Sequence, residues 1–129
     1  MRDLSTKENT LSLYEVDDPA NIERIVVAFA AGRPDLDDIG FVVFHATPSE
    51  LGIRVERTPG RTPDVAIDPL HRNLEELTAA RLAILAAAMF PGSRDERTKK
   101  ELKGLMNAGL VGGALDQTKM NAKLLNQLR

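Results

Sequence analysis

The chain contains no cysteine and no tryptophan, and its aromatic residues are one tyrosine and four phenylalanines. Without cysteine, disulfide bonds, thiolate catalysis and cysteine-ligated zinc are excluded. So few aromatic side chains argue against a surface that binds single-stranded nucleic acid by base stacking. The sequence also lacks the GxSxG and HExxH motifs of hydrolases and metalloproteases. It therefore favours a non-enzymatic protein, with an enzyme as the minority alternative.

Long apolar runs are missing as well. The longest, residues 25–31 and 82–90, fall well short of the roughly 20 helical residues that cross a bilayer. The first ten residues lack the apolar core of a signal peptide. We therefore expect a cytoplasmic protein with no membrane partner.

Charge is distributed unevenly along a composition that is otherwise ordinary for a globular domain. Residues 1–93 carry nine basic and fifteen acidic side chains, net −6, whereas residues 94–129 carry eight and four, net +4. Such asymmetry predicts a partner surface, which could be nucleic acid, an acidic protein face or a second copy of the chain. We expect a small α/β domain at residues 1–92, with a basic helical segment at residues 93–129 packed on the same domain.

The first half of the chain predicts a strand, a helix and a second strand. Residues 10–16 alternate as a strand, and Asp18-Pro19 is a helix-start signal. The helix places Ile22, Ile25, Val26 and Phe29 on one apolar stripe, and residues 39–44 follow as a buried strand. This βαβ order predicts two parallel strands, with a short edge strand near Ile53 and Val55. The expected fold class is α/β, with α+β as the alternative, and a sheet of two or three strands.

The second half predicts helices. We expect an exposed loop at residues 57–66 and a long helix from Asp68-Pro69 to about residue 90, whose second half is apolar nearly all round and lies in the core or at an interface. Ser93 and Glu96 form a candidate capping box for a third helix. The glycines of residues 107–114 are expected to break that helix. The last helix is predicted to open at Asp116, with an apolar face of Met120, Leu124, Leu125 and Leu128.

Three residues at the predicted strand ends are weak candidates for a metal or acid–base site. Asp17 and Asp18 follow the first strand, and His45 follows the second. Carboxylate and imidazole groups at the ends of parallel strands can hold a divalent cation or transfer protons. A helix-capping role for Asp18 and solvation of the other two explain the same residues, so we assign no metal and no cofactor. The sequence does not tell whether His45 and His71 come together.

The segment LYEVDDPANIERIVVAFAAG resembles the opening strand and helix of response-regulator receiver domains. The resemblance implies that Asp17 and Asp18 match the acidic pair that holds Mg²⁺ in that family. It covers about twenty residues, since the strand at residues 39–44 comes too early for a receiver and no later strand carries the family's lysine. We treat it as a shared local shape and do not claim the family.

The basic end supplies the remaining candidate residues. On the last helix, Lys119, Lys123 and Asn126 lie opposite the apolar face, a pattern that suits contact with phosphates and base edges. Arg97, Lys100 and Lys103 are the candidates on the preceding helix. A solvated helix face explains the same charges, and the gap between the two helices is long for a helix-turn-helix.

These observations favour a non-enzymatic interaction or regulatory protein that acts through helical protein–protein contacts and self-associates. The alternative is a nucleic-acid-binding regulator that uses the basic C-terminal helices. A small metal-dependent enzyme with its site at Asp17, Asp18 and His45 comes third.

Overall fold

The computed structural model of the chain describes residues 11–129. Two predictions fall outside these residues. They are the start of the first strand at Thr10 and the absence of a signal peptide in residues 1–10. The regular elements in chain order are β1 (Leu11–Tyr14), α1 (Asn21–Ala31), β2 (Ile39–Val43), β3 (Arg54–Arg57), β4 (His71–Glu75), α2 (Ala79–Met89), β5 (Ser93–Arg97), α3 (Lys99–Gly112) and α4 (Ala122–Gln127). Short 3₁₀ turns lie at Pro48–Leu51, Asp68–Leu70 and Gln117–Lys119.

The strands form two small antiparallel sheets. One has the order β1-β4-β3, and the other pairs β2 with β5. The expected class of mixed helix and sheet is confirmed, and β3 lies at a sheet edge as predicted. The predicted parallel pairing of β1 with β2 is wrong, because each strand takes a partner from later in the chain.

Residues 68–90 do not form the predicted long helix. Asp68 opens only a 3₁₀ turn, and β4 follows with alternating burial that hides Arg72 and Leu74. The spacing of Leu70, Leu74 and Leu77 fits a helix, but burial within residues 71–75 follows the two-residue period of a strand. The helix begins after Thr78, whose hydroxyl accepts a hydrogen bond from the backbone N–H of Arg81 at 3.2 Å.

The C-terminal elements begin later than predicted. Ser93 and Glu96 lie in β5 rather than at a helix start, and the capping box is made by Thr98 and Glu101. The glycines do not break α3, which continues to Gly112 and ends at Gly113 with a φ of 82°. A Cβ on Gly109 would lie 3.0 Å from the Leu115 side chain, so this glycine allows the turn to pack closely against α3. Asp116 caps a 3₁₀ turn, and Asn121 caps α4.

The C-terminal helices pack on the body of the same chain. The largest core cluster joins buried residues of α1, β2, α3 and α4, among them Val27, Ile39, Met106 and Leu124. A smaller cluster lies between β4 and α2. Of the predicted apolar face of the last helix, Leu124 is buried on α4 and Leu125 is partly buried. Met120 and Leu128 are also buried, but they lie just before and just after α4. None of the helices within residues 11–129 is long and apolar enough to cross a membrane.

The segment at residues 57–66 is less exposed than predicted. Thr62, Pro63 and Asp64 are buried, and Asp64 is only 2% exposed. The Asp64 carboxylate accepts hydrogen bonds from Nε and NH2 of Arg24 on α1, at 2.5 and 2.9 Å. A buried carboxylate needs such a partner, so this pair fixes the loop to α1.

Helix α1 differs in detail from its predicted stripe. Ile25 and Val26 are buried, whereas Phe29 is 45% exposed. Asp18 does not cap the helix, since the N-cap residue is Ala20. The Asp18 carboxylate instead accepts a hydrogen bond from the Ala20 N–H at 3.0 Å, in the turn that leads into α1.

Candidate interaction surfaces

Helix α2 presents an unusually apolar surface to solvent. Leu85 is its one fully buried residue, at 0% exposure, and lies on the side that packs toward β4. Ile84 is 46% exposed, and Phe90, directly after the helix, is 76% exposed. We define the α2 face as the exposed apolar residues of this region, which are Ala79, Ala80, Leu82, Ala83, Ile84, Ala86, Ala87 and Phe90.

The α2 face is continuous and uncharged. At 3.6 residues per turn its members cover about 200° of the helix circumference. Arg81 is the helix's one charged residue, and its NH1 donates to the Glu76 carbonyl at 2.8 Å, outside this arc. Arg94 lies at the rim, 5.9 Å from the Phe90 ring centroid. Alanines occupy the middle of the face along the helix, with Phe90 at its C-terminal end, and the larger Leu82 and Ile84 flank it. Another helix could therefore approach closely along the alanine part of the centre.

The prediction that residues 82–89 belong to a helix is confirmed, while an interface on its apolar second half stays a prediction. The structure places this helix at the surface, because one side of α2 is enough to cover the small cluster around Leu74 and Leu85. Exposed apolar patches that exceed a few hundred Å² mark interaction sites, so this helix is the candidate for one.

Three of the six candidate basic-end residues are engaged within the chain. Arg97 pairs with Asp95 at 2.9 Å and with Glu23 at 3.7 Å, and its guanidinium lies 5.4 Å from the centroid of the Phe41 ring. Lys103 donates to the Arg129 carbonyl at 3.2 Å.

Lys123 is the third engaged residue. Its Nζ lies 2.8 Å from the Asp35 carboxylate, and this contact holds the pKa of Asp35 below its ordinary value and raises the pKa of Lys123. Gln127 also donates to Asp35, at 3.2 Å, and its Oε1 accepts from the Leu36 N–H at 2.7 Å. Part of the basic charge therefore docks α4 on the acidic body.

Lys100 on α3 and Asn126 on α4 are exposed, as predicted for a helix face in contact with water or a partner. Lys119 is also exposed, but it lies in the 3₁₀ turn before α4 and not on the predicted helix. Neither lysine forms an ion pair with another residue of the described range 11–129. The involvement of these six residues in nucleic-acid or partner contact stays a prediction.

A cleft of about 990 Å³ lies between the ends of β1 and β2. Asp17 and His45 line it, together with Glu15, Glu50 and Arg57, while Asp18 does not. The structure therefore brings two of the three weak metal-site candidates to one cavity. Across residues 11–129, however, no three His, Asp or Glu side chains are grouped so that they could hold a metal ion.

His71 lines a different cavity from His45. Its Nδ1 lies 2.7 Å from the Thr58 carbonyl oxygen, which can only accept a hydrogen bond. Tyr14 packs edge-on against the His71 ring, with the two ring centroids 5.3 Å apart. The pKa of Tyr14 is raised, mainly because its hydroxyl is partly buried and to a smaller extent because the Asp68 carboxylate lies nearby. His45 and His71 therefore do not come together in one site.

Two arginines that hold parts of the fold together, Arg24 and Arg72, are not among the residues predicted from the sequence. Arg24 holds Asp64, and Arg72 is nearly buried, with NH2 3.1 Å from Glu15 and NH1 donating to the carbonyls of Pro69 and His71 at 2.7 and 2.8 Å. The sequence HRNLE at residues 71–75 has no hydropathy alternation that marks Arg72, and its burial is visible only in the alternating pattern of the folded strand.

Comparison with known proteins gives no family model, no curated protein and no solved structure that matches this chain.

Proposed function

We propose that the protein is a non-enzymatic interaction or regulatory protein that self-associates through the α2 face. The observation that carries the proposal is the exposure of an uninterrupted apolar surface on a helix whose opposite side already satisfies the core. Burying such a surface against another apolar surface is favourable by about 25 cal/mol per Å².

The chemistry of the α2 face favours a second copy as its partner. The face carries no charge, so a charged partner surface would lose hydration there without gaining a compensating ion pair. The α2 face of a second molecule is apolar and uncharged in the same way. A two-fold axis would place like against like, as in most homodimers.

The small side chains suit a helix pair. Ala83 lies near the middle of Ala79–Met89, so a two-fold axis beside it would bring two alanine-rich ridges together, with Leu82 and Ile84 closing the sides. Helix axes typically pack 8–10 Å apart, and alanine ridges permit the short end of that range, ~8 Å.

We expect a weak dimer that depends on concentration. A contact built from one helix per copy falls below about 1,200 Å², the range of weak and transient complexes. Sedimentation equilibrium over a wide range of protein concentration should therefore show a monomer–dimer transition.

The discriminating variant is Ala83→Glu, which would place two carboxylates together at the centre of the contact. The matched control is Ala108→Glu, which puts the same substitution at an exposed position inside α3. We expect Ala83→Glu to stay monomeric and Ala108→Glu to associate like the wild type, with both melting temperatures near the wild-type value. A wild-type protein that stays monomeric throughout, or equal association of the two variants, would contradict the proposal.

A further inference from the structure

The walls of the cleft between β1 and β2 are made partly of backbone edges. Consecutive residues line it on both sides, 13–17 on one and 42–50 on the other. Side chains of a strand alternate between two faces, so a surface formed by one face would contribute only every second residue. Residues 13–14 and 42–43 belong to strands, and their uninterrupted lining indicates that the edge of the chain borders the cleft. Residues 44–50 continue this wall as irregular chain and a 3₁₀ turn.

These edges carry backbone groups without partners. The hydrogen bonds of β1 and its extension end at the Glu15 N–H, which donates to the Leu70 carbonyl at 2.9 Å. The ladder between β2 and β5 ends with the pair Val43 and Ser93. Within residues 11–129, the backbone N–H and C=O groups of residues 16–17 and 44–46 form no hydrogen bond with another residue. Each side of the cleft therefore offers backbone donors and acceptors, directly after the end of a strand, that can pair with a guest chain.

The same cleft has apolar walls. Leu13, Ile22, Val42, Phe44 and Val55 supply apolar surface for side chains that point away from a guest backbone. Its volume of about 990 Å³ is at the upper end of the range for ligand pockets.

The charges that line the cleft fall into two groups. Glu15 and Arg72 pair with each other at 3.1 Å. Asp17, Glu50 and Arg57 form no ion pair within the described part of the chain, so the unpaired acids outnumber the unpaired cation two to one. Asp17 follows β1, and Glu50 precedes β3 at the opposite edge of the sheet, so the acids lie on different walls.

We propose that this cleft binds an extended peptide of a partner protein, with apolar residues at alternate positions and lysine or arginine among the others. The peptide pairs its backbone with the free edges at residues 16–17 and 44–46. Its apolar side chains enter the cleft, and its basic side chains meet Asp17 or Glu50. Strand addition of this kind takes affinity from main-chain hydrogen bonds and specificity from alternate side-chain pockets. The cleft is separate from the α2 face, so either proposal can fail without the other.

The test begins with selection of a randomised eight-residue peptide library on the immobilised protein, with counter-selection on the double variant Asp17→Lys, Glu50→Lys. Both acids are exposed, and neither forms an ion pair within residues 11–129, so the variant should melt like the wild type. We expect enriched sequences to alternate apolar residues with lysine or arginine.

The best enriched peptide is then measured by fluorescence anisotropy. Asp17→Lys and Glu50→Lys should each weaken binding by about threefold or more, whereas Glu96→Lys, an exposed acid on β5 outside the cleft, should leave it unchanged. N-methylation of alternate backbone nitrogens in the peptide should weaken binding about tenfold, because it removes main-chain donors.

Failure to enrich any sequence overturns the proposal. So does a binder that tolerates N-methylation at every position, because strand pairing requires backbone donors. Binding that is equal in the wild type and the double variant also overturns it, because the charge preference is then absent. Competition of the peptide with protein dimerisation would place the second copy, rather than a foreign peptide, in the cleft, and would likewise contradict the assignment.

Discussion

The ion pair between Arg24 and Asp64 makes an asymmetric prediction about stability. Asp64 is 2% exposed, whereas the Arg24 side chain is 44% exposed, so water can solvate the arginine but not the carboxylate when the partner is removed. Arg24→Ala leaves a buried charge without its cation. Asp64→Ala leaves an arginine that can turn into solvent. Truncation of the exposed partner should therefore cost more than truncation of the buried one.

The magnitudes follow from what each substitution leaves behind. Removing one partner of a fully buried pair costs about 3–5 kcal/mol, and the half-exposed arginine lowers this to about 2–3 kcal/mol for Arg24→Ala. Asp64→Ala loses the two arginine bonds and the bond from the Ala66 N–H at 3.1 Å, for about 1–2 kcal/mol.

Urea denaturation followed by far-ultraviolet circular dichroism measures both free energies of unfolding. The double variant Arg24→Ala, Asp64→Ala closes the thermodynamic cycle and should be more stable than Arg24→Ala alone, because no unpaired charge remains. The reasoning is refuted if Asp64→Ala is the more destabilising of the two single variants, or if neither changes the free energy of unfolding by more than about 0.5 kcal/mol.

Three further predictions concern the α2 anchor, the α3 cap and the acid limb of stability. Leu85→Ala should lower the free energy of unfolding by about 2–5 kcal/mol in the same denaturation assay, because Leu85 is fully buried. Thr98→Ala removes the capping box of α3 and should cost about 1 kcal/mol, with Thr98→Ser restoring most of it. A carboxylate whose pKa is lower in the folded than in the unfolded chain stabilises the fold while it is ionised. That contribution to the free energy of unfolding is present above the ordinary carboxyl pKa and is lost as the pH falls through the lowered pKa. The melting temperature should therefore fall on acidification below about pH 4, and Lys123→Met should reduce the part of that fall due to Asp35, whereas a pH-independent melting temperature there would contradict this. Three carboxylates have lowered pKa values: a hydrogen bond from Lys123 lowers the pKa of Asp35, one from Arg97 lowers that of Asp95, and one from Thr118 lowers that of Asp116.

The sequence predicts elements with strong local signals and fails where distant residues decide. β1, α1 and β3 follow from alternation and from the Asp18-Pro19 start signal, and the apolar face of the last helix follows from its spacing. Leu70, Leu74 and Leu77 have helical spacing, but pairing of β4 with two distant strands makes residues 71–75 a strand. Hydropathy also gives no sign that the charged Arg72 would be buried.

The sequence predicts part of the α2 face and part of the cleft between β1 and β2. The alanine-rich composition of residues 82–90 indicated an apolar helix, but only the packing of Leu85 shows which side is covered. The sequence predicts that Asp17, Asp18 and His45 lie at neighbouring strand ends, and Asp17 and His45 do line one cleft. They line one cleft because β1 and β2 separate instead of pairing, an outcome that depends on β4 and β5.

Disulfide trapping in the naturally cysteine-free chain tests the central claim most directly. Ala83→Cys introduces the single thiol of the protein at the centre of the α2 face, and Ala108→Cys introduces it at an exposed position on α3. Disulfides need Cα atoms within about 7 Å of each other, so oxidation reports close approach of two copies. Self-association through the α2 face predicts rapid covalent dimerisation of Ala83→Cys and slow, purely collisional cross-linking of Ala108→Cys. Equal rates for the two variants would contradict the account.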